Sequence, residues 1–463
     1  MKAATCRWSA ASALVLLSLL GAGGARAAAA AQAPPPVRTG VAAIADAPAA
    51  LTRWVLDDGT HVFLIRQPRT PLIWMEVVVG AGSWSPWVRS HHGYEAFAAQ
   101  LHDAEDELAH ESDRLRAPIR VYMSRWASEL SLQFVKGDEE AALALLRKTL
   151  ANRSFVRNDL RRSKWAQAPL FASRQKEPRF LLGQATARLF FAPEDMRRLQ
   201  YEAPPPRSAD VEELARVRDA LVRAPARLIT FVGDLTQAEA SRLAARILPP
   251  PRLPADLEDD EPLAPRFYAE TEQPRDLSFT LPKLAQTFFA YSCLSVPFLD
   301  PDFASLLVAD TVLWGHSLRS RLGVALREQS GDSYEPSTWL PRERIAEVYS
   351  LSASTRSPNA AQLEERLRAT LRTFHQGGIT AAELQRAREH LLNGRVLASD
   401  SPFSRLAEAR WEWERGLPQG ATEALYARVA RLSLPEVNSF IRRFFDPARF
   451  ALARVGPQQR LGR

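Results

Sequence analysis

Four histidines lie close together in the first half of the chain: His91, His92, His102 and His110, with Asp103, Glu105, Asp106 and Glu111 among them. Imidazole and carboxylate are the ligand types that hold zinc, and zinc with an open position activates water for hydrolysis. Two histidines grip one ion from a helix when they stand four residues apart, on one face. His92 and His102 do not share helical spacing, so a rearranged metal site competes with a plainer reading, the solvated face of a helix. Cysteine offers no site. Cys6 falls in the N-terminal leader, and Cys293 stands in the apolar run Phe288–Val296, where a lone thiol packs as a small hydrophobe. A disulfide framework and a cysteine-based zinc site are both excluded. Trp411-Glu412-Trp413-Glu414 reads as packing, because tryptophan is usually mostly buried. Arg161-Arg162-Ser163-Lys164 reads as an exposed helix face.

These residues belong to a chain of 463, of which 46% are hydrophobic and 24% charged. That composition is globular, and the length allows two or three domains. The formal charge of +7 is spread along the sequence, with no basic run interleaved with aromatics. Nucleic acid is therefore not an expected partner. Lys2 and Arg7 precede an apolar core, Ala10–Leu20, and a small-x-small site, Ala25-Arg26-Ala27. Ala31-Gln32-Ala33 offers a second such site. This layout predicts a signal peptide over 1–27 and export across the inner membrane to a bacterial periplasm. An organellar transit peptide is the alternative, since the first acidic residue is Asp46, but the compact core Leu14–Leu20 favours secretion. The apolar core is shorter than the ~20 residues a transmembrane helix needs, so no membrane span is expected. Residues 28–50 form an Ala/Pro-rich lead-in.

The rest divides at a proline-rich, acidic stretch. Pro249-Pro250-Pro251 and the residues to Pro265 predict a linker over 249–270, because proline blocks helix and central strand alike. The flanking halves, 51–248 and 271–463, share one plan. Each opens on strands, Val62–Ile65 with Ile73–Val79 and Ser278–Leu281 with Thr287–Leu294. Leu130–Phe134 alternates with period two, and Glu139–Leu150 carries leucines at helical spacing. Thr380 and Glu383 form a capping-box signature. Each half ends on a similar strand, Ala226–Asp234 and Ala448–Gly456. The expected fold is α+β: two duplicated domains, each a mostly antiparallel sheet with helices packed on one face.

Leu56-Asp57-Asp58-Gly59-Thr60-His61-Val62, then Val77-Val78-Val79-Gly80-Ala81-Gly82-Ser83-Trp84, then Gly93, resemble the strand pair, long strand and glycine of the pitrilysin/insulinase metallopeptidases. The resemblance covers most of the chain from about Leu51 to Pro457. In that family the next helix carries His-x-x-Glu-His, two zinc ligands and a general base on one face. The aligned residues here are Ala96, Phe97, Ala98, Ala99 and Gln100, so both histidines and the base are missing. The family's downstream glutamate ligand aligns with Pro169 or Leu170, although Glu177 stands near the usual spacing. In the second half, Ser320-Arg321-Leu322 leading to Leu326-Arg327-Glu328 and Gly331-Asp332-Ser333-Tyr334 resembles the family's Ser-Arg-Leu and Leu-Arg-Glu-x-x-Gly-x-x-Tyr element. In active members its Arg and Tyr hold the substrate backbone and stabilise the tetrahedral intermediate. Arg327 and Tyr334 match in type and spacing. A guanidinium fork and a phenol hydroxyl are strong donors to a developing oxyanion. Without the family match, Arg327 is a surface residue paired with a carboxylate and Tyr334 packs at a domain edge.

The resemblance implies a non-catalytic, substrate-binding subunit of a heteromeric zinc peptidase acting on unfolded or short peptides. No cofactor is expected on this chain. Zinc is expected on a homologous partner subunit, with Arg327 and Tyr334 acting in trans. The alternatives are a structural or binding protein that kept the fold without chemistry, and a stand-alone enzyme using a rearranged metal site near His91 and His92.

Overall fold

The computed structural model of the protein describes residues 50–80, 82, 119–151, 169, 171–202, 222–252, 275–315, 320–328, 336–399 and 401–457. The strands of the first half are β1 (Leu51–Val55), β2 (His61–Arg66), β3 (Leu72–Val79), β4 (Arg120–Met123), β5 (Ser128–Val135) and β6 (Arg227–Gly233). Those of the second are β7 (Asp276–Thr280), β8 (Gln286–Leu294), β9 (Ser337–Trp339), β10 (Val348–Arg356) and β11 (Ala451–Gly456). Between strands run α1 (Glu139–Ala151), α2 (Pro178–Phe190), α3 (Met196–Glu202), α4 (Gln237–Ala244) and α5 (Phe303–Asp310). The later helices are α6 (Ala360–Gly377), α7 (Ala381–Ala398), α8 (Pro402–Glu414), α9 (Ala421–Arg431) and α10 (Leu434–Phe444). The last expected strand starts late, because Pro447–Arg449 closes into a 3-10 turn with Asp446 as its cap. The leader 1–27, the Arg161–Lys164 run, and the histidines from His91 to His110 lie outside the described residues, as does most of the lead-in and linker.

The sheets repeat one plan. Their strand orders are β1-β2-β6-β3-β5-β4 and β7-β11-β8-β10-β9. In the first, β2 runs parallel to β6 and the other pairings are antiparallel. In the second, β7 runs parallel to β11 and the rest are antiparallel. Strands β2, β6, β3, β5 and β4 therefore correspond in order and direction to β7, β11, β8, β10 and β9, with β1 an added edge. In each half the last strand in sequence inserts beside the first long pair. Every residue of β6 is buried, as befits a strand covered on both faces.

One face of each sheet is covered by helices of its own half. Val62, Ile73, Met75, Leu132 and Phe231 pack on the leucines of α1 and on Leu243 of α4. Phe289, Tyr349 and Leu351 pack on α5, α6, α9 and α10. The opposite faces are covered by exchange. Helix α2, from the first half, lays Leu181, Leu182, Ala185 and Leu189 on Ala290, Ala451, Ala453 and Val455 of the second sheet. Helix α8, from the second half, lays Leu406, Ala409 and Trp413 on Phe63, Ile65, Leu228 and Val232 of the first. These two helices occupy matching places in the two halves, each between the fifth-type strand (β5, β10) and the closing strand (β6, β11).

A charged cluster marks the seat of α8. Arg410 donates to Glu76 of β3 and, at 2.8 Å, to Glu129 of β5; its Nε lies 3.1 Å from Glu414. Glu76 also accepts from Thr230 of β6 at 3.1 Å. Burial, then the hydrogen bond with Glu129, pushes the Glu76 carboxyl well above the ordinary carboxylate range, against the pull of Arg410. Arg227 is fully buried at the start of β6, where it donates to the carbonyls of Ala224, Pro249 and Val222 at 2.6, 2.6 and 3.2 Å. It thereby ties down the chain where the prolines begin.

Two predictions follow from the exchange. Leu189→Ala, at a fully buried contact on the far sheet, should cost about 2–5 kcal/mol. It should lower one common unfolding transition, followed by circular dichroism and tryptophan fluorescence; two separated transitions would contradict the exchange. A carboxyl raised in the folded state stabilises fully only below its ordinary value near 4.5. That contribution is lost as pH climbs towards the raised value. Urea titrations should therefore find Glu76→Gln gaining about 1–3 kcal/mol on the wild type between about pH 5 and pH 8.

Candidate functional site

The segment expected to carry the Arg/Tyr element leaves α5 through a π-helical turn, Thr311–Gly315, and resumes at Ser320. Ser320 caps the turn Arg321–Gly323, its hydroxyl accepting from the Gly323 amide at 3.0 Å. Leu322 and Leu326 are buried in the second core. Arg321 lies 5.3 Å from the Phe374 ring centroid and donates twice to Glu383, at 2.9 and 2.8 Å. Glu383 also completes the expected capping box with Thr380. Burial raises its carboxyl, but Arg321 and the Thr380 amide outweigh that and hold it at about 2. One glutamate thus starts α7 and pins the candidate element to it.

Arg327 lies on the next π-helical turn, Val324–Glu328. Tyr334 falls outside the described residues, as do Ala96, Ala99 and Gln100. The described chain resumes at Pro336, just before β9. That strand is anchored by a residue the sequence did not flag. Asp310, at the end of α5, accepts from the buried Tyr349 hydroxyl of β10 at 2.8 Å and is also hydrogen-bonded by Thr338 of β9. Burial pushes the Asp310 carboxyl up, opposed by these bonds. An acid in so apolar a helix was the available signal.

Beyond β9 a cleft of about 350 Å³ opens between α2 and α3 on one side and β8 to β10 on the other. Its floor is the continuation of the face that α2 covers. Under α2 that face is apolar; past it, Ser350 pairs with Ser292 at 2.8 Å and Ser352 with Ser337 at 3.1 Å. Trp339, 62% exposed on the edge strand, stands at the cleft with Tyr201 of α3. Arg197 of α3 clamps the base, donating to Glu347 at 2.6 Å and to Asp195 at 3.3 Å, with all three side chains buried. A hydrogen-bonding serine floor with an aromatic rim suits an extended chain better than a compact apolar ligand. In the first half, beyond the end of β3, a Cβ on Gly82 would lie 2.3 Å from the Arg125 backbone; only glycine permits that approach.

The profile of the peptidase M16 inactive domain matches residues 208–391. A Helicobacter pylori protein described as a non-peptidase homologue, YmxG, is 22% identical over 363 residues, 75% of this chain and 80% of its own length. The crystal structure of a peptidase M16 inactive domain from Pseudomonas fluorescens superposes with a TM-score of 0.72 at 18% identity, over 88% of this chain and 98% of that one. Residues 208–391 thus match the M16 inactive domain, and the described chain shares its fold. The two-sheet α+β architecture is the M16 inactive-domain fold. The periplasmic protease PqqL from Escherichia coli shares it, with a TM-score of 0.67 at 14% identity over 88% of this chain and 45% of its own. The pitrilysin/insulinase resemblance is thereby borne out at the level of family and fold.

Zinc does not fit the residue types at the positions that the pitrilysin/insulinase resemblance aligns with the zinc motif, Ala96, Ala99 and Gln100. Two alanines offer no ligand atom, and the amide of Gln100 is a poor one beside imidazole. Among the described residues, no three or more His, Cys, Asp and Glu side chains are grouped to hold a metal. Nor is any helix among them long and apolar enough to cross a membrane. Cys293 is buried, and burial pushes its thiol up.

Asp310→Ala would leave the buried Tyr349 hydroxyl unpaired, a loss of about 1–3 kcal/mol. Hydrogen exchange should rise most at Ser337–Trp339; unchanged protection there would show that Asp310 does not hold β9.

Proposed function

We propose that this protein is the non-catalytic, substrate-binding subunit of a heteromeric, periplasmic zinc metallopeptidase that cleaves unstructured peptides. One observation carries the reading. In a chain with the M16 inactive-domain fold, the residues aligned with the zinc helix, Ala96, Ala99 and Gln100, offer no imidazole or carboxylate, while Arg327 and Tyr334 match the family's second element in type and spacing. Zinc and the general base would come from a homologous partner. The guanidinium of Arg327 and the hydroxyl of Tyr334 would donate to the substrate carbonyl oxygen as charge develops on it. The serine floor and Trp339 would hold the rest of the peptide extended.

A second reading, a binding or structural protein of the same fold, is favoured by the non-peptidase description of the Helicobacter pylori relative. Co-expression with a homologue carrying His-x-x-Glu-His, assayed on an unstructured fluorogenic peptide, separates the two. Activity only in the pair is expected. Arg327→Ala and Tyr334→Phe should each lower turnover by ~10²–10³. If the chains copurify but both variants cleave like the wild type, the chain is a scaffold. If it cleaves alone and a chelator stops it, it is an enzyme in its own right.

A further inference from the structure

A second cavity, of about 410 Å³, lies at the far end of the second sheet, between α6, the 3-10 turn and the starts of β7 and β11. Leu371, Phe450, Leu452 and the Tyr291 ring line its apolar part. Tyr291 is 6% exposed, and its hydroxyl has no hydrogen-bond partner among the described residues. Its strand neighbours on the same face, Phe289 and Cys293, are apolar. Phenylalanine would fill that place equally well, whereas an unpaired buried donor costs about 1–3 kcal/mol. The hydroxyl is the feature that packing leaves unexplained.

The lining itself carries more guanidinium than carboxylate, although Glu364 and Glu365 pair with two of its arginines. The cavity is lined by three guanidiniums, Arg275, Arg368 and Arg372, and one carboxylate, Asp276. Arg368 lies 5.5 Å from the Tyr291 ring centroid and spends Nε and Nη2 on Glu364. Arg372 donates to Glu365 through Nη2 at 2.6 Å, and Arg275 donates to a neutral acceptor, the Ala448 carbonyl. An apolar chamber with a buried hydroxyl donor, and with guanidinium N–H groups of Arg275 and Arg372 left over from these bonds, suits an anion with an apolar body.

We propose that this cavity binds a small organic carboxylate, its apolar body against Leu371, Phe450 and Leu452 and its carboxylate between the Tyr291 hydroxyl and the guanidiniums of Arg275 and Arg372. The site is separate from the peptide-handling element and stands or falls without it. Calorimetric titration of the mature chain with 3-phenylpropionate, and with inorganic phosphate as the anion lacking an apolar body, tests it. Saturable binding of 3-phenylpropionate and not of phosphate is expected. Tyr291→Phe should weaken binding about tenfold or more, the worth of a hydrogen bond to a charged acceptor, without lowering the melting temperature. The Arg275→Ala/Arg372→Ala double variant should weaken it as well. No saturable binding at millimolar 3-phenylpropionate, equal binding of phosphate, or wild-type affinity in both variants would overturn the proposal.

Discussion

A β-sheet with two apolar faces must be covered twice, and in this chain neither half supplies both covers for itself. Helix α2 closes the second sheet and helix α8 closes the first. At about 25 cal/mol per Å² of buried apolar surface, leaving either face open would cost a large part of a protein's marginal stability. The halves are therefore held by their cores rather than by a polar interface alone. The cleft beside Trp339, walled by α2 and α3 of the first half, depends on that arrangement.

Helix α8 shows how one short segment serves several demands. Trp413 packs on the first sheet, while Trp411 meets Phe298 of the second core with ring centroids 5.2 Å apart. Glu412, buried between them, accepts from the amides of Gly420 at 2.8 Å and Thr422 at 2.8 Å and so caps α9. Glu414 turns back to Arg410. Arg410 finds its partners on strands of the other half, and this fixes the register of the exchange more tightly than apolar contact would. Glu76 lies at the buried end of the cluster, and burial first, then Glu129, pushes its carboxyl up.

Strands and helices were legible because their signals are local. Leu130–Phe134 alternates, Glu139–Leu150 has its leucine stripe, and Thr380 with Glu383 spells a cap; each took the form its pattern dictates. The duplicated plan was legible for the same reason. The exchange was not, since nothing in Pro178–Phe190 or Pro402–Glu414 states which sheet their apolar stripes will meet. Partners distant in sequence were equally hidden: Arg321 with Glu383, Asp310 with Tyr349, Arg410 with Glu76. Trp411 and Trp413 were read as packing, but not as packing on two different cores. The zinc-motif losses were readable as residue types alone. The roles proposed for Arg327 and Tyr334 rest on the family resemblance of the element around them.

The account's central claim is that this chain is half of a site, completed by a zinc-bearing homologue. Native mass spectrometry of the two co-expressed mature chains tests it directly. The account predicts a one-to-one complex holding a single zinc ion, with the metal retained by the partner and absent from this chain when they are separated. Two zinc ions per complex, or zinc that stays with this chain, would contradict it, and so would two chains that never associate.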